Sequence, residues 1–243
     1  MNCLVLAAGY ATRLYPLTEN FPKPLLKVGE RTILDWLLDD IRSSCFPDRT
    51  VVVSNHRFAT IFREWAPDDV EIVDDGSMSN ETRLGAVNDI RFAVESLGLT
   101  GDTLVVAGDN LLDFSLGAFV SYAREKEASC IMRYYETSER RLRKCGVVEV
   151  DPSDRVLSME EKPSEPRSRW CCPPFYFYKE EDIARIPEGI AAGCGTDAPG
   201  AFAAWLSSVV PVYAMEMPGN RYDIGNLESY RKVCEEYKDI VNK

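Results

Sequence analysis

The chain has 243 residues, 45% hydrophobic and 28% charged, with 28 Lys and Arg against 39 Asp and Glu and a formal net charge of −11. That length supports a substantial core in one large domain or two small ones. The acidic balance argues against nonspecific nucleic-acid binding, which needs a basic surface to displace counterions. A local cationic pocket stays open to it, because the nearest charges set the field at a site. No run approaches the ~20 apolar residues of a membrane-spanning helix. No leader is read at the start, so the expected compartment is cytoplasmic and no membrane partner is expected. The eight cysteines form no CxxC pair and there is one histidine, which disfavours a Cys–His zinc site and predicts free, mostly buried thiols.

The opening MNCLVLAAGYATRLYPLTENFPKPLL begins with an apolar run, 3–8, that predicts a buried strand. It breaks at Gly9 into a segment holding Arg13 and Lys23 but no acid until Glu19. TVVVSN (50–55), VEIVDD (70–75) and DTLVVAGDN (102–110) predict further buried strands. Between them, 32–41, 57–66 and 84–97 carry apolar residues at helical spacing, such as Ile33, Trp36, Leu37 and Ile41. Alternating strand and helix implies right-handed crossovers and a mostly parallel sheet. Ligands of such sheets sit beyond the carboxyl ends of the strands, where Gly9 and Asp109 fall.

A helix over 116–128 follows Ser115, a plausible N-cap, and leads into a strand over 129–136. GVVEVD (146–151), RVLSMEEK (155–162) and PFYFYK (174–179) then read as an antiparallel meander, with Pro152-Ser153-Asp154 turning the first pair. A helix over 198–209, a strand over 212–217 and a final helix from Asn226 follow. The last carries an apolar stripe at Leu227, Tyr230, Val233, Cys234, Tyr237 and Val241.

The small residues at the end of the first strand let a backbone approach a ligand, and successive N–H groups there can form an anion nest. Arg13 and Lys23 suit phosphate oxygens, as a planar fork and a point charge respectively. The segment is neither GxGxxG nor GxxxxGKS. Asp109 and Asp223, read singly, serve equally well as capping acids.

LAAGYATRLYPLT followed by PKPLL resembles the signature of sugar-1-phosphate nucleotidylyltransferases (NDP-sugar pyrophosphorylases), nearest in pattern to the glucose-1-phosphate thymidylyl/uridylyltransferases. The resemblance continues through RLGA (83–86), VVAGDN (105–110), CGVVEVD (145–151), EEKP (160–163), PFYFY (174–178) and RYDIG (221–225), in order and over nearly the whole chain. It implies an α/β fold with a Rossmann-like (GT-A-type), mostly parallel central sheet flanked by helices and a smaller antiparallel sugar-binding elaboration. The expected organisation is a single nucleotidyltransferase domain, 1–243, with 1–130 mainly nucleotide-binding and 131–243 mainly sugar-binding. The implied reaction transfers a nucleotidyl group from an NTP, dTTP or UTP, to a sugar 1-phosphate with release of pyrophosphate. Such transfer is mainly alignment and charge neutralisation, so a lone histidine is no obstacle.

The resemblance assigns the backbone of Leu6, Ala7, Ala8 and Gly9 to the nucleotide, Arg13 to the triphosphate and Lys23 to charge around the α-phosphate. It makes Asp109 and Asp223 the ligands of Mg2+, an ion that takes few carboxylates and completes its shell with phosphate and water. Leu84 and Gly85 fall near the base, and Asn80 stands near the place of a base-reading glutamine; a turn residue accounts for Asn80 equally well. Glu161 is matched to sugar hydroxyls, Lys162 to the sugar phosphate, Gly146 to a backbone contact, and Cys172 and Tyr176 to the pocket lining. Alternation sends Glu161 and Lys162 to opposite faces of a strand, so a bulge or the strand end at Pro163 must bring both to one ligand. Ala11 replaces the second glycine of the family loop, which puts a positive-φ conformation there in question. The alternatives are a cytidylyl- or guanylyltransferase, a non-sugar acceptor such as phosphocholine, and a catalytically silent sensor. The expected assembly is a monomer or simple homo-oligomer.

Overall fold

The computed structural model describes residues 1–241, which divide into two compact units, each built from three chain segments. The first comprises 4–83, 107–118 and the segment from Pro218 onward. It holds most of the strand Asn2–Leu6, the parallel pair Arg49–Ser54 and Val70–Asp74, and the helices Ile33–Asp40, His56–Trp65 and Leu227–Val241. The parallel register runs from Thr50 opposite Val70 to Ser54 opposite Asp74, as expected for strands joined by a crossover helix.

Local chemistry starts and orients these helices. Thr32 Oγ1 accepts the Asp35 N–H at 3.0 Å while the Asp35 carboxylate accepts the Thr32 N–H at 2.9 Å, a reciprocal cap for Ile33–Asp40. Asn55, fully buried, accepts the Phe58 N–H at 3.0 Å to cap His56–Trp65. Its amide also donates to Ala8 O at 3.0 Å, tying the end of the first strand to that helix. Leu14, Leu26, Val28, Ile33, Leu111, Ile224 and Val233 form a buried cluster, with Leu227, Tyr230, Cys234 and Tyr237 packed against it. The final helix therefore packs its predicted stripe against this cluster, with Val233 buried and the others partly so, apart from Val241, whose side chain lies outside those described.

The second unit comprises 1–3, 84–106 and 119–217. Its strands lie in the order Val156–Glu161, Gly146–Val150, Trp170–Cys172, Ser129–Tyr135, Phe175–Tyr178 and Thr103–Ala107, each antiparallel to its neighbour, while Val212–Glu216 runs parallel beside Ser129–Tyr135. Thus 146–150 and 156–161 pair as the predicted hairpin, but 175–178 is not the third strand of a meander. Trp170–Cys172, too short to register as an apolar run, pairs with Gly146–Val150 instead. The sequence reading also missed the ribbon of Asn110–Leu112 with Arg221–Asp223, each strand only three residues long.

The expectation of free thiols holds for six cysteines and fails for two: Cys145 and Cys171 form a disulfide. Strand pairing brings them together, because Cys171 stands opposite Val147, two residues beyond Cys145. No sequence spacing announces that register. Among the described residues, no helix is long and apolar enough to cross a membrane.

Candidate active site

At the carboxyl end of the first strand the chain wraps a cavity of about 250 Å³ lined by Leu6, Ala7, Gly9, Ala11, Arg13, Leu14, Lys23, Pro24, Ala107, Asp109, Ile224 and Gly225. Six of these residues were expected to handle nucleotide or metal. The strand end is held on both sides: the Ala7 N–H donates to Val53 O at 2.9 Å and Leu6 O accepts the Gly108 N–H at 3.0 Å. Ala7's amide is therefore committed to the sheet, and the turn beyond it must supply any anion-binding N–H groups. Gly9 itself faces open space, since a Cβ there meets nothing within 4 Å. Its lack of a side chain leaves room in the cavity and relieves no clash in the fold.

Ala11 answers the question raised by the missing glycine. It adopts the left-handed conformation, φ 46° and ψ 40°, in spite of its Cβ. Its carbonyl accepts Thr18 Oγ1 at 2.8 Å and the Leu14 N–H at 3.0 Å, and these bonds hold the short helical turn Thr12–Leu14 that carries Arg13.

Lys23 sits between the two aspartates. Its Nζ donates to Asp109 Oδ2 at 2.7 Å and lies 3.7 Å from Asp223 Oδ1. The lysine side chain is only 7% exposed, against 37% for Asp109 and 50% for Asp223. Asp223 arrives through the ribbon, where it pairs with Asn110, the neighbour of Asp109. The Asn110 amide donates to Asp109 Oδ1 at 2.9 Å, and its own Oδ1 accepts Arg221 Nη1 at 2.9 Å. Burial pushes the Asp109 carboxyl upward, but the charge and hydrogen bond of Lys23, with Arg221 beyond, hold it below the ordinary carboxylate range. Gly108 lets the Asp109 turn pack closely, since a Cβ there would stand 2.8 Å from Val5 Cγ1. Arg13 Nη1 and Asp223 Oδ2 lie 4.0 and 3.7 Å from the Cβ position at Gly225, which brings both to the same rim. Asn55, Asn110 and Arg221 were not anticipated; only their position beside the strand ends and the aspartates marked them.

Among the described residues no group of three or more His, Cys, Asp or Glu is arranged to hold a metal. Two aspartates still suit a hard ion such as Mg2+, which is bound through one or two carboxylates with substrate phosphates and water completing the octahedron. The donor chemistry fits.

The second unit gathers the other expected residues. Gly146 pairs with Glu161 on one side and Cys172 on the other. A Cβ at Gly146 would come within 3.0 Å of Glu161 Oε2 and 3.5 Å of Cys172 Cβ, and one at Gly200 would collide with the same carboxylate oxygen. Glu161 is thus lodged between two glycines, and burial pushes its carboxyl up from the ordinary value despite the nearby Lys162. The strand ends at Glu161, and Lys162 turns away in the left-handed region, φ 51°, its N–H donating to Cys145 O at 3.0 Å. That turn breaks the alternation, and Lys162 Nζ lies 3.9 Å from Asp197 Oδ2, a further unanticipated residue. Tyr176 is buried and stacks on Tyr178 with ring centroids 5.8 Å apart; burial drives its phenol well above the ordinary range.

The base-reading candidates are less convergent. Asn80 is exposed on a turn closed by Ser79 and Thr82, its carbonyl accepting Arg83 Nη1 at 2.8 Å. Leu84 O accepts Asn88 Nδ2 at 3.0 Å at the start of the helix Ala86–Leu97. Gly85 has φ 87°, and a Cβ there would stand 2.5 Å from Thr196 O, so its glycine is demanded by packing.

A strand-end cavity lined by Arg13, Lys23 and Asp109, with Asp223 3.7 Å from the lysine, offers the charges that suit phosphate on an α/β scaffold. The chain belongs to the nucleotidyl transferase family, whose model matches residues 2–240. It is 29% identical over 242 residues to a UTP–glucose-1-phosphate uridylyltransferase of Synechocystis sp., covering 95% of this chain and 61% of that protein. It is 30% identical over 200 residues to a glucose-1-phosphate thymidylyltransferase of Mycolicibacterium smegmatis, covering 79% of this chain and 67% of that one. The fold matches UDP-glucose pyrophosphorylase solved with UDP-glucose, with a TM-score of 0.82 at 17% identity and 98% of each chain covered. The apo form of UDP-glucose pyrophosphorylase gives 0.83 at 16% identity, again over 98% of each chain. The Rossmann-like nucleotidyltransferase architecture expected from the sequence is borne out.

Proposed function

We propose that the protein transfers a nucleotidyl group from a nucleoside triphosphate, UTP or dTTP by preference, to a sugar 1-phosphate of the glucose 1-phosphate kind. The observation that carries this reading is the convergence of Arg13, Lys23 and Asp109 on one strand-end cavity, with Asp223 at 3.7 Å from the lysine. An acceptor phosphate oxygen attacks the α-phosphorus, the bond to the bridging oxygen breaks, and pyrophosphate leaves. The attacking oxygen is already an anion, so no side-chain base is needed. The work left to the protein is positioning and charge neutralisation.

In this reading the turn at Ala8–Gly9 and the guanidinium of Arg13 seat the triphosphate, and Lys23 neutralises charge at the α-phosphate. Asp109 and Asp223 would hold Mg2+, which when bound supplies further charge neutralisation at the phosphate oxygens. Glu161 accepts hydrogen bonds from sugar hydroxyls, Lys162 meets the sugar phosphate, and Gly146, Cys172 and Tyr176 shape the pocket. Leu84, Gly85 and Asn80 stand for the base side. The names of the Synechocystis and Mycolicibacterium relatives favour a pyrimidine nucleotide and a glucose 1-phosphate acceptor, while a third relative at 28% identity is named for guanylyl transfer to mannose 1-phosphate.

The test is pyrophosphate release with Mg2+, a panel of the four NTPs and dTTP, and several sugar 1-phosphates with phosphocholine as the non-sugar arm. Release confined to UTP or dTTP with a glucose 1-phosphate-like acceptor is the expected result. Release only with phosphocholine would replace the acceptor, and no release with any pair would overturn the enzymatic reading.

A further inference from the structure

The ammonium of Lys23 lies between the carboxylates of Asp109 and Asp223, the pair read above as metal ligands, 2.7 Å from one and 3.7 Å from the other. A divalent ion held by both carboxylates would approach that ammonium to within about 4 Å, where two cations repel strongly in a partly desolvated site. One of the two must therefore move when both are to bind. Asp109 is not the mobile partner, because Asn110 and, through it, Arg221 hold its second oxygen. Nor is the Lys23 backbone, which is locked in a short turn between Pro22 and Pro24. The movement is therefore left to the rotatable bonds of the four-carbon lysine stem, whose side chain is 7% exposed between the two acids.

We propose that Lys23 is a stand-in cation: it holds the two carboxylates together and gives up its place to the divalent ion when a triphosphate arrives to receive the ammonium. This rests on reading Asp109 and Asp223 as the metal pair. Metal and triphosphate then favour each other's binding, and by linkage the effect is reciprocal. The ion enters chiefly with the nucleotide, and the protein alone has little affinity for it.

Mn2+ titration followed by electron paramagnetic resonance, with no acceptor present, tests the exchange without turnover. The variants are K23Q and K23M, which remove the charge, K23R, which keeps it, and K23Q combined with D109N. The neutral variants are expected to bind Mn2+ at least about tenfold more tightly than the wild type. K23R should remain weak, and adding D109N should erase the gain. Neutral variants no tighter than wild type would overturn the proposal while leaving the metal pair standing. A gain that survives D109N would overturn both readings.

Should the neutral variants fail to fold, the wild type carries the test through the Nζ resonance of Lys23. Mg2+ alone is expected to leave that resonance in place, and Mg2+ with inorganic tripolyphosphate to shift it. A full shift with Mg2+ alone would overturn the proposal.

Discussion

Asp223 stands directly opposite Asn110 in a two-stranded antiparallel ribbon, and that single register places its carboxylate within reach of the lysine that also binds Asp109. The two acids lie over a hundred positions apart in the chain, so the candidate metal pair exists only because two three-residue strands meet. Short strands contribute little stability alone. Here the buried cluster of Leu111 and Ile224 with the final helix supports them.

Replacing Asp109 with Asn should lower kcat by about a hundredfold or more, because a neutral amide neither balances Lys23 nor holds a hard cation. Its effect on stability should depend on pH. The folded carboxyl titrates below its ordinary 3.8, so its stabilising contribution is complete above that value and is lost as pH falls through the lowered one. Urea unfolding should show the largest gap between wild type and D109N at neutral pH. That gap should narrow as the pH is taken below 4.

Ala11 occupies a conformation that costs an L-residue roughly 1–2 kcal/mol. Ala11→Gly should therefore raise stability by about 1 kcal/mol, less whatever the freer unfolded chain recovers. A lower midpoint in urea for A11G would refute this account of the loop. Steady-state kinetics on the same variant would report whether a more flexible turn weakens nucleotide binding.

Two glycines should separate binding from folding. Gly9→Ala places a methyl in open space, so thermal stability should stay within about 0.5 kcal/mol of wild type while KM for the nucleotide rises. Gly85→Ala sets a Cβ against Thr196 O at a positive φ, and should destabilise by roughly 1–3 kcal/mol. Paired melting and KM measurements on the two variants check the contrast.

Glu161→Gln should trade activity for stability. Burial raises the Glu161 carboxyl above its ordinary 4.5, so between the two values the folded chain holds a proton the unfolded chain has lost. Stability from this group consequently falls as pH rises across that window and stays reduced at neutral pH. E161Q should unfold at higher urea than wild type at pH 7, with the advantage vanishing near pH 4. Its KM for the sugar phosphate should rise roughly tenfold to a hundredfold through loss of charge-assisted hydrogen bonds.

The order of the longer strands and helices up to about residue 135 was legible because each is several residues long and carries its own periodicity of apolar residues, whereas the short strand Asn110–Leu112 was not. The loop chemistry was legible too, since Gly9, Arg13 and Lys23 lie within fifteen positions and their residue types suit phosphate. Three-residue strands such as Trp170–Cys172 and Arg221–Asp223 leave no periodic trace. What depended on them was hidden: the pairing of Cys145 with Cys171 and the supporting roles of Asn110 and Arg221.

By itself the sequence determined which of the longer segments would become strands and helices, and that small residues and cations would gather at the end of the first strand. Those properties follow from side-chain type and spacing within a few residues. Tertiary structure alone decided that Lys23 would lie between two distant aspartates, that Ala11 would accept a left-handed backbone, and that Glu161 would be lodged between Gly146 and Gly200. Each of these depends on register between segments far apart in the chain, and register is set by the packing of the whole unit, which no local pattern encodes.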